Sequence, residues 1–260
     1  MVGLGRMAQA LLQPLLDAGV VDRSEVQAAV ATPTSAQRLA AALGIAVQTS
    51  PGLAWQAPLV LLAVKPQQLE TAAVAATAAG AHGPGLLLSV LAGVPLARLQ
   101  ALFPGWSCVR AVPNTPALVR AGVTGLAFGA AVDGEQQQRV RDLFALVGEV
   151  VELPESQLDA FLALTSSGPA FVALVAEAMA DGAVAAGLPR QLAQHLAHRT
   201  LAGTAALLDQ QALHPAALKD MVSSPAGTTM AGLRQLERAG LRSGLIEAVL
   251  AAAERSRQLG

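Results

Sequence analysis

Short apolar runs alternate with longer amphipathic stretches through the first part of this chain. Runs dense in Val, Leu and Ala fall at 26–31, 59–64, 86–91, 107–112, 125–128 and 150–153. Between them, apolar positions recur at helical spacing over 8–16, 35–43, 67–77, 95–102 and 134–146. Strand-sized runs separated by helix-sized stretches predict a sheet whose strands are joined by crossover helices and so run mainly parallel. Several runs are apolar throughout, as strands are when helices cover both faces of a sheet. Beyond Leu153-Pro154 the strand-like runs stop. Alanine- and leucine-rich helical patterns take over at 158–164, 169–186, 190–208, 215–222, 229–239 and 245–259, punctuated by Gly187-Leu188-Pro189, His214-Pro215 and Gly240. The pattern predicts α/β plus all-α: a doubly wound α/β domain over 1–154, then a helical domain over 155–260.

Composition narrows the function classes. At 260 residues and 53% hydrophobic content the chain buries at least one sizeable core, and its length suits two domains. A formal net charge of -1 and a pI near 6.4 leave no basic footprint for phosphate neutralisation, so nucleic acid is set aside. Cys108 is the single cysteine, which excludes an intramolecular disulfide and a cysteine-rich metal site and fits a reducing cytoplasm. A mean hydropathy of +0.48 raises the question of a membrane span, and 71–97 carries no Asp, Glu, Lys or Arg. That run is broken by Gly80, Gly83, Pro84, Gly85, Gly93 and Pro95 into pieces shorter than the ~20 residues a span requires. No basic segment followed by an apolar stretch and cleavage site marks a secretory signal. The expectation is a cytoplasmic protein with no membrane partner.

Candidate chemistry begins at the front. Gly3-Leu4-Gly5-Arg6-Met7-Ala8 fits the dinucleotide fingerprint of Rossmann-type domains. The first glycine permits the tight turn, the second lets a pyrophosphate approach the backbone, and the small Ala8 allows the helix to pack closely on the sheet. The N–H groups of Arg6 and Met7, opening the helix, then face the anion. A purely structural glycine turn is the alternative, disfavoured by the placement before a helix. Only Met1 and Val2 precede the loop, whereas a strand takes about five residues. Either residues are missing ahead of Met1 or the innermost strand is a stub. The second strand ends in Ala31-Thr32-Pro33-Thr34-Ser35, with Arg38 one turn further on and no acidic residue to bond a ribose 2′-hydroxyl. Thr34, Ser35 and Arg38 suit a 2′-phosphate instead, which favours NADPH over NADH, and Thr34 or Ser35 serves equally as a helix cap.

Four further segments are Ala63-Val64-Lys65-Pro66-Gln67, Val112-Pro113-Asn114-Thr115-Pro116-Ala117, Ser166-Ser167-Gly168-Pro169-Ala170-Phe171 and Ser223-Ser224-Pro225-Ala226-Gly227-Thr228-Thr229. In this order and spacing they resemble the pyrroline-5-carboxylate reductases over essentially the whole chain. The resemblance implies NAD(P)H-dependent reduction of a cyclic imine to proline, with NADH possible but less preferred. It implies cofactor contacts at Val64, Lys65, Pro66, Ala92 and Asn114. It also implies a substrate site at Ser224, Gly227, Thr228 and Thr229, with Thr229 facing the imine nitrogen as the catalytic candidate. Each segment has a plainer reading: a solvated Lys65 beside a proline turn, a turn-shaping Asn114, a capped helix start at Pro169, a capped turn at 224–229. The 224–229 loop is also chemically apt, because a proline-glycine turn opening a helix exposes N–H donors beside hydroxyls, as a carboxylate site requires. The sequence departs from the family's usual glycine at Ser166 and at Ala226.

Other polar candidates carry less. His195 and His198 lie three apart on a helix with no third ligand to name, so no metal site is expected. Cys108 reads as buried and inert, Trp55 and Trp106 as packing residues. A related two-domain hydroxyacid dehydrogenase shares the glycine loop but resembles its own family in a lysine on the interdomain helix, and 167–186 contains none. A non-catalytic NADP-binding scaffold is the remaining rival. Family resemblance further implies a homodimer or higher homo-oligomer through the helical domain, NADPH lying across the sheet edge, and a carboxylate anchor that brings the imine carbon to the nicotinamide.

Overall fold

The computed structural model describes all residues except His82, Pro84 and Gly260. Pro84, one of the expected breaks in the apolar run, and Gly260, the end of the expected helical domain, therefore lie outside the described residues. The chain divides into two compact units, Met1–Ser166 with Ala251–Gly260, and Ser167–Leu250.

In the first unit the elements alternate: α1 (Arg6–Asp17), β1 (Gln27–Ala29), α2 (Pro33–Leu43), β2 (Ala46–Gln48), α3 (Gly52–Trp55), β3 (Leu59–Leu62), α4 (Leu69–Ala78), β4 (Leu86–Ser89), α5 (Leu96–Leu102), β5 (Ser107–Val112), β6 (Gly122–Phe128), α6 (Gly134–Ala145), β7 (Gly148–Glu152) and α7 (Leu158–Thr165). Parallel pairs β1-β2 and β3-β4-β5 are bridged by Val2, which pairs with both Ala29 and Leu62. Val2 alone fills the innermost position. Its backbone is tied on both sides, Val2 N–H to the Leu61 carbonyl (2.9 Å) and Ala29 N–H to the Met1 carbonyl (2.9 Å). The resulting order β2-β1-Val2-β3-β4-β5-β6-β7 reverses direction at Val2. β6 departs from the parallel expectation: it runs antiparallel to β5, and β7 pairs parallel with β6. The connection over 113–121 explains this, being shorter than the dozen or so residues a parallel crossover takes.

Leu62, Leu87 and Cys108 point into one core with Trp55, Leu69, Leu99 and Leu158. Leu61, Leu88 and Val109 point into another with Leu11, Val140 and Phe144. These opposed cores make the sheet doubly wound, as its uninterrupted apolar strands predicted. Trp55 stacks on Phe103 at 5.4 Å and meets Trp106 edge-on at 6.2 Å, so both tryptophans are packing residues.

The second unit is helical: α8 (Gly168–Ala185), α9 (Arg190–Gln210), α10 (Pro215–Met221), α11 (Thr228–Arg238) and most of α12 (Leu241–Arg257), whose end returns to the first unit. Its buried side chains are mainly small, Ala176, Ala180, Ala193 and Ala197 with Leu218, while Val172, Leu174, Leu192, Leu196 and Met230 are exposed. A groove of about 830 Å³ runs between α8 and α9, lined by Val172, Ala176, His198 and Leu201. By length and composition alone, the stretch Glu155–Ala185 would suffice to cross a membrane.

Candidate active site

In an open α/β sheet, ligands bind beyond the carboxyl ends of the strands where the strand order reverses. Here that point lies between Val2 and β3, and the two loops leaving it touch. Gly3 adopts φ +88°, and a Cβ there would lie 2.5 Å from the Ala63 carbonyl oxygen and 2.8 Å from Val64 N. Glycine is therefore required by both torsion and space. Gly5 differs. It caps α1 in extended backbone, φ -73°, with no side-chain cap, and a Cβ there would meet nothing within 4 Å. The N–H groups of Arg6, Met7 and Ala8 find no acceptor among the described residues, since the first helical bond runs from Gln9 N to Gly5 O. Ala8, in the first turn of α1, is fully buried, giving the close packing its size predicted. Gln9, which the sequence did not single out, steadies the loop by donating from Nε2 to the Leu4 carbonyl at 2.8 Å.

Thr34, Ser35 and Arg38 lie at the start of α2, Thr34 and Arg38 exposed and Ser35 half-buried. Neither Thr34 nor Ser35 caps the helix. Thr32 does, its hydroxyl oxygen accepting from Ser35 N at 3.2 Å, because Thr32 is the last residue in extended backbone before Pro33 opens the helix. Beyond β3, Val64 and Pro66 are half-buried and Lys65 exposed, leading into a short 3-10 turn over Pro66–Gln68. Ala92, half-buried, sits beyond β4 beside Gly93 at φ +74°. Asn114 is buried with its amide in use: Nδ2 donates to the Thr165 carbonyl and Oδ1 accepts from Val123 N, both at 2.9 Å. That geometry supports the turn-shaping reading and leaves one amide hydrogen for a ligand.

At the α7–α8 junction the capped helix start expected at Pro169 has no side-chain cap. Ser167 has helical backbone (φ -84°, ψ -32°) and makes no side-chain cap, and α8 begins at Gly168 rather than Pro169. The Ser166 hydroxyl instead donates to the Pro113 carbonyl at 3.1 Å.

In the second unit, Gly227 caps α11 with φ -76°, ψ 172° and no side-chain cap, close to the angles of Gly5 before α1. Thr228, Thr229 and Met230 N–H groups have no acceptor among the described residues, the first bond running from Ala231 N to Gly227 O. Ser224 lies alongside: a Cβ on Gly227 would collide with its hydroxyl and approach its carbonyl oxygen to 3.0 Å. Ala226 takes φ +55°, the left-handed region, where the resemblance expects glycine. Loop and helix start therefore set Ser224 against Gly227 and leave the N–H groups of Thr228 and Thr229 open, and such open donors can receive an anion.

Cys108 is fully buried, and burial pushes its thiol up to about 11, which keeps it unreactive. His214 serves as a cap, its Nδ1 accepting from Ala216 N at 3.2 Å.

Comparison with known proteins decides the family. Residues 155–259 match the family model described as pyrroline-5-carboxylate reductase dimerisation, and residues 1–93 match one described as NADP oxidoreductase, coenzyme F420-dependent. The pyrroline-5-carboxylate reductase of Synechocystis sp. is 45% identical over 100% of this chain and 97% of its own length. This chain belongs to the pyrroline-5-carboxylate reductase family. The reductase of Methanosarcina acetivorans is 40% identical over 100% of the chain and 96% of its own. Among solved structures, the Streptococcus pyogenes 1-pyrroline-5-carboxylate reductase superposes with a TM-score of 0.90 at 30% identity, covering 99% of this chain and 96% of that one. The Plasmodium falciparum pyrroline carboxylate reductase, solved with NADP bound, gives a TM-score of 0.90 at 26% identity, covering 100% and 96%.

Proposed function

We propose that the chain reduces 1-pyrroline-5-carboxylate to L-proline, binding NADPH at the open end of α1 and the substrate carboxylate at the open end of α11. The supporting observation is the shared construction of those two ends: a glycine N-cap, no side-chain cap and unpaired N–H donors. The residues fit the cofactor, because Gly5 leaves room where a pyrophosphate would meet the backbone and the segment 31–38, with Thr34, Ser35 and Arg38, carries no acidic residue to repel a 2′-phosphate. Val64, Lys65, Pro66, Ala92 and Asn114 complete the cofactor surface. Bound NADPH supplies the hydride. Ser224, Gly227, Thr228 and Thr229 hold the carboxylate, and Thr229 is the hydrogen-bond partner of the imine nitrogen. A threonine hydroxyl is too weak an acid to supply the proton, so the imine enters protonated, and positioning is the main catalytic effect.

The working division is a dinucleotide-binding domain over 1–154 and a substrate and dimerisation domain over 155–260. Exposed leucines flanking alanine-lined helices suit burial against a second copy, and this accounts for the apolar character of Glu155–Ala185 without a membrane. The protein works as a cytoplasmic homodimer or higher homo-oligomer.

The test is oxidation of NADPH and of NADH with and without pyrroline-5-carboxylate, on wild type, Thr229→Ala and Ser224→Ala. Losing one hydrogen bond to a charged group should lower kcat/KM ten- to a hundredfold, roughly 1.5–3 kcal/mol, with NADPH affinity nearly unchanged. NADPH binding without any imine-dependent turnover would instead favour the non-catalytic scaffold. A clear NADH preference would overturn the coenzyme assignment.

A further inference from the structure

Arg110 stands in the middle of β5, 3% exposed, among Cys108, Val109, Ala111 and Val112. A guanidinium out of water costs several kcal/mol unless ion pairs and hydrogen bonds replace its hydration. Two carboxylates do so: Nη1 lies 3.4 Å from Glu155 Oε1 and Nη2 lies 3.2 Å from Asp159 Oδ1. Nε has no partner among the described residues. Both carboxylate oxygens carry a second bond. Glu155 Oε1 accepts from Leu96 N at 2.6 Å, and Asp159 Oδ1 accepts from the Ser256 hydroxyl at 2.7 Å, Ser256 being 2% exposed. One buried cation thereby joins the start of α5, the approach to α7 and the end of α12, all within the first unit.

The consequence lies at α5. Its N-cap, Pro95, has no side chain able to accept a bond, so the Leu96 N–H depends on a carboxylate 59 residues away. Leu96 ends the loop over 90–95, which leaves β4 at the carboxyl edge of the sheet and carries Ala92. The same loop is tied at its other end, where Val90 N donates to the Leu62 carbonyl at 3.0 Å. Leu91 and Val94 anchor its middle in the core.

We infer that Glu155, held by Arg110 and backed by Asp159 and Ser256, is a positioning residue that sets the 90–95 loop for the cofactor. The inference rests on the reading of Ala92 as a cofactor contact. It separates from simple fold stabilisation because Glu155 reaches the loop through an oxygen that glutamine also has, whereas its charge serves Arg110.

The experiment compares Glu155→Ala, Glu155→Gln and Ser256→Ala with wild type, measuring NADPH dissociation constants by fluorescence and steady-state kcat and KM for each substrate. Removing the Leu96 acceptor should raise Kd and KM for NADPH about tenfold in Glu155→Ala, the scale of one hydrogen bond, with KM for the imine little changed. Glu155→Gln should recover most of that loss even where its melting temperature is low. Ser256→Ala, the mildest change, should raise the NADPH Kd about two- to threefold. If Glu155→Ala fails to fold, Ser256→Ala decides by the same binding assay, with Glu155→Gln as the near-wild-type control. Wild-type NADPH binding in Glu155→Ala, or in Ser256→Ala where Glu155→Ala does not fold, would overturn the inference. Because binding is measured without imine, this outcome is distinct from a wild-type protein that lacks imine turnover.

Discussion

Gly3 and Gly5 sit two positions apart in one motif, yet the structure predicts opposite consequences for replacing them with alanine. At Gly3 the alanine must hold φ +88°, which costs an L-residue about 1–2 kcal/mol. Its Cβ would also stand 2.5 Å from the Ala63 carbonyl oxygen and 2.7 Å from the Ala63 carbonyl carbon, both backbone atoms that cannot rotate away. Overpacking of that kind costs roughly 1–3 kcal/mol. Gly3→Ala should therefore lose about 2–5 kcal/mol, and its melting temperature should fall by on the order of 10 °C. Gly5→Ala keeps an ordinary φ of -73° and meets no atom within 4 Å, so its stability should stay within about 1 kcal/mol of wild type. The open space at Gly5, the second glycine of the fingerprint, is where a pyrophosphate would approach the backbone. Gly5→Ala should accordingly weaken NADPH ten- to a hundredfold, the scale of a charged hydrogen bond. Thermal unfolding and NADPH fluorescence titration of both variants check this. Equal melting shifts for the two would refute the steric argument. Wild-type affinity in Gly5→Ala would refute the pyrophosphate site.

Two further outcomes follow from single residues. Burial raises the Cys108 thiol from 9.0 to about 11, so between those pH values the unfolded state loses a proton that the folded state keeps, and stability falls as pH rises through the window. Urea unfolding at pH 8 and pH 11 should show a drop of up to about 3 kcal/mol in wild type that is smaller in Cys108→Ala, and equal drops would contradict the burial argument. Ala226 at φ +55° bears about 1–2 kcal/mol of strain that glycine avoids, offset by glycine's greater freedom when unfolded. Ala226→Gly should thus be neutral or stabilising by up to about 1 kcal/mol in thermal unfolding, and a clear loss of stability would show that the left-handed backbone there is not strained.

How much of this was legible in the sequence depends on how local the cause is. β5 matches its predicted bounds, 107–112, because an apolar run between Pro-Gly-Trp and Pro-Asn carries its own punctuation. β6 begins at Gly122 rather than 125, since Gly122 and Thr124 dilute the apolar signal. A Cβ at Gly122 would lie 2.9 Å from the Val147 carbonyl oxygen, just ahead of β7, and 3.0 Å from the Ala117 backbone, so that glycine answers to neighbouring backbone. β2 was missed because Ala46–Gln48 is short and mostly exposed, held as a strand by pairing with β1 rather than by its own pattern. The glycine loop and the α11 start were readable, being local turns with stated torsional needs. The Arg110 cluster was not, because its partners lie 45 to 97 residues apart in sequence. A lone arginine inside an apolar strand was the available signal.

The near-identical N-caps of α1 and α11 call for different probes of the two proposed sites. Gly5 opens onto empty space, so its methyl variant reports on a ligand with the fold left alone. Gly227 has the same backbone angles, but Ser224 fills the space a methyl would take, so Gly227→Ala would disturb the loop before any substrate arrived. A loss of activity there would not separate binding from folding. The hydroxyls of Ser224 and Thr229 make the cleaner comparison, because truncating either leaves the Gly227 backbone and the open N–H donors in place. If the α11 start binds a carboxylate, these truncations should act on imine turnover and spare NADPH, whereas Gly5→Ala should weaken NADPH binding directly. The two sets of variants then give different patterns of loss, which a general weakening of the fold would not produce.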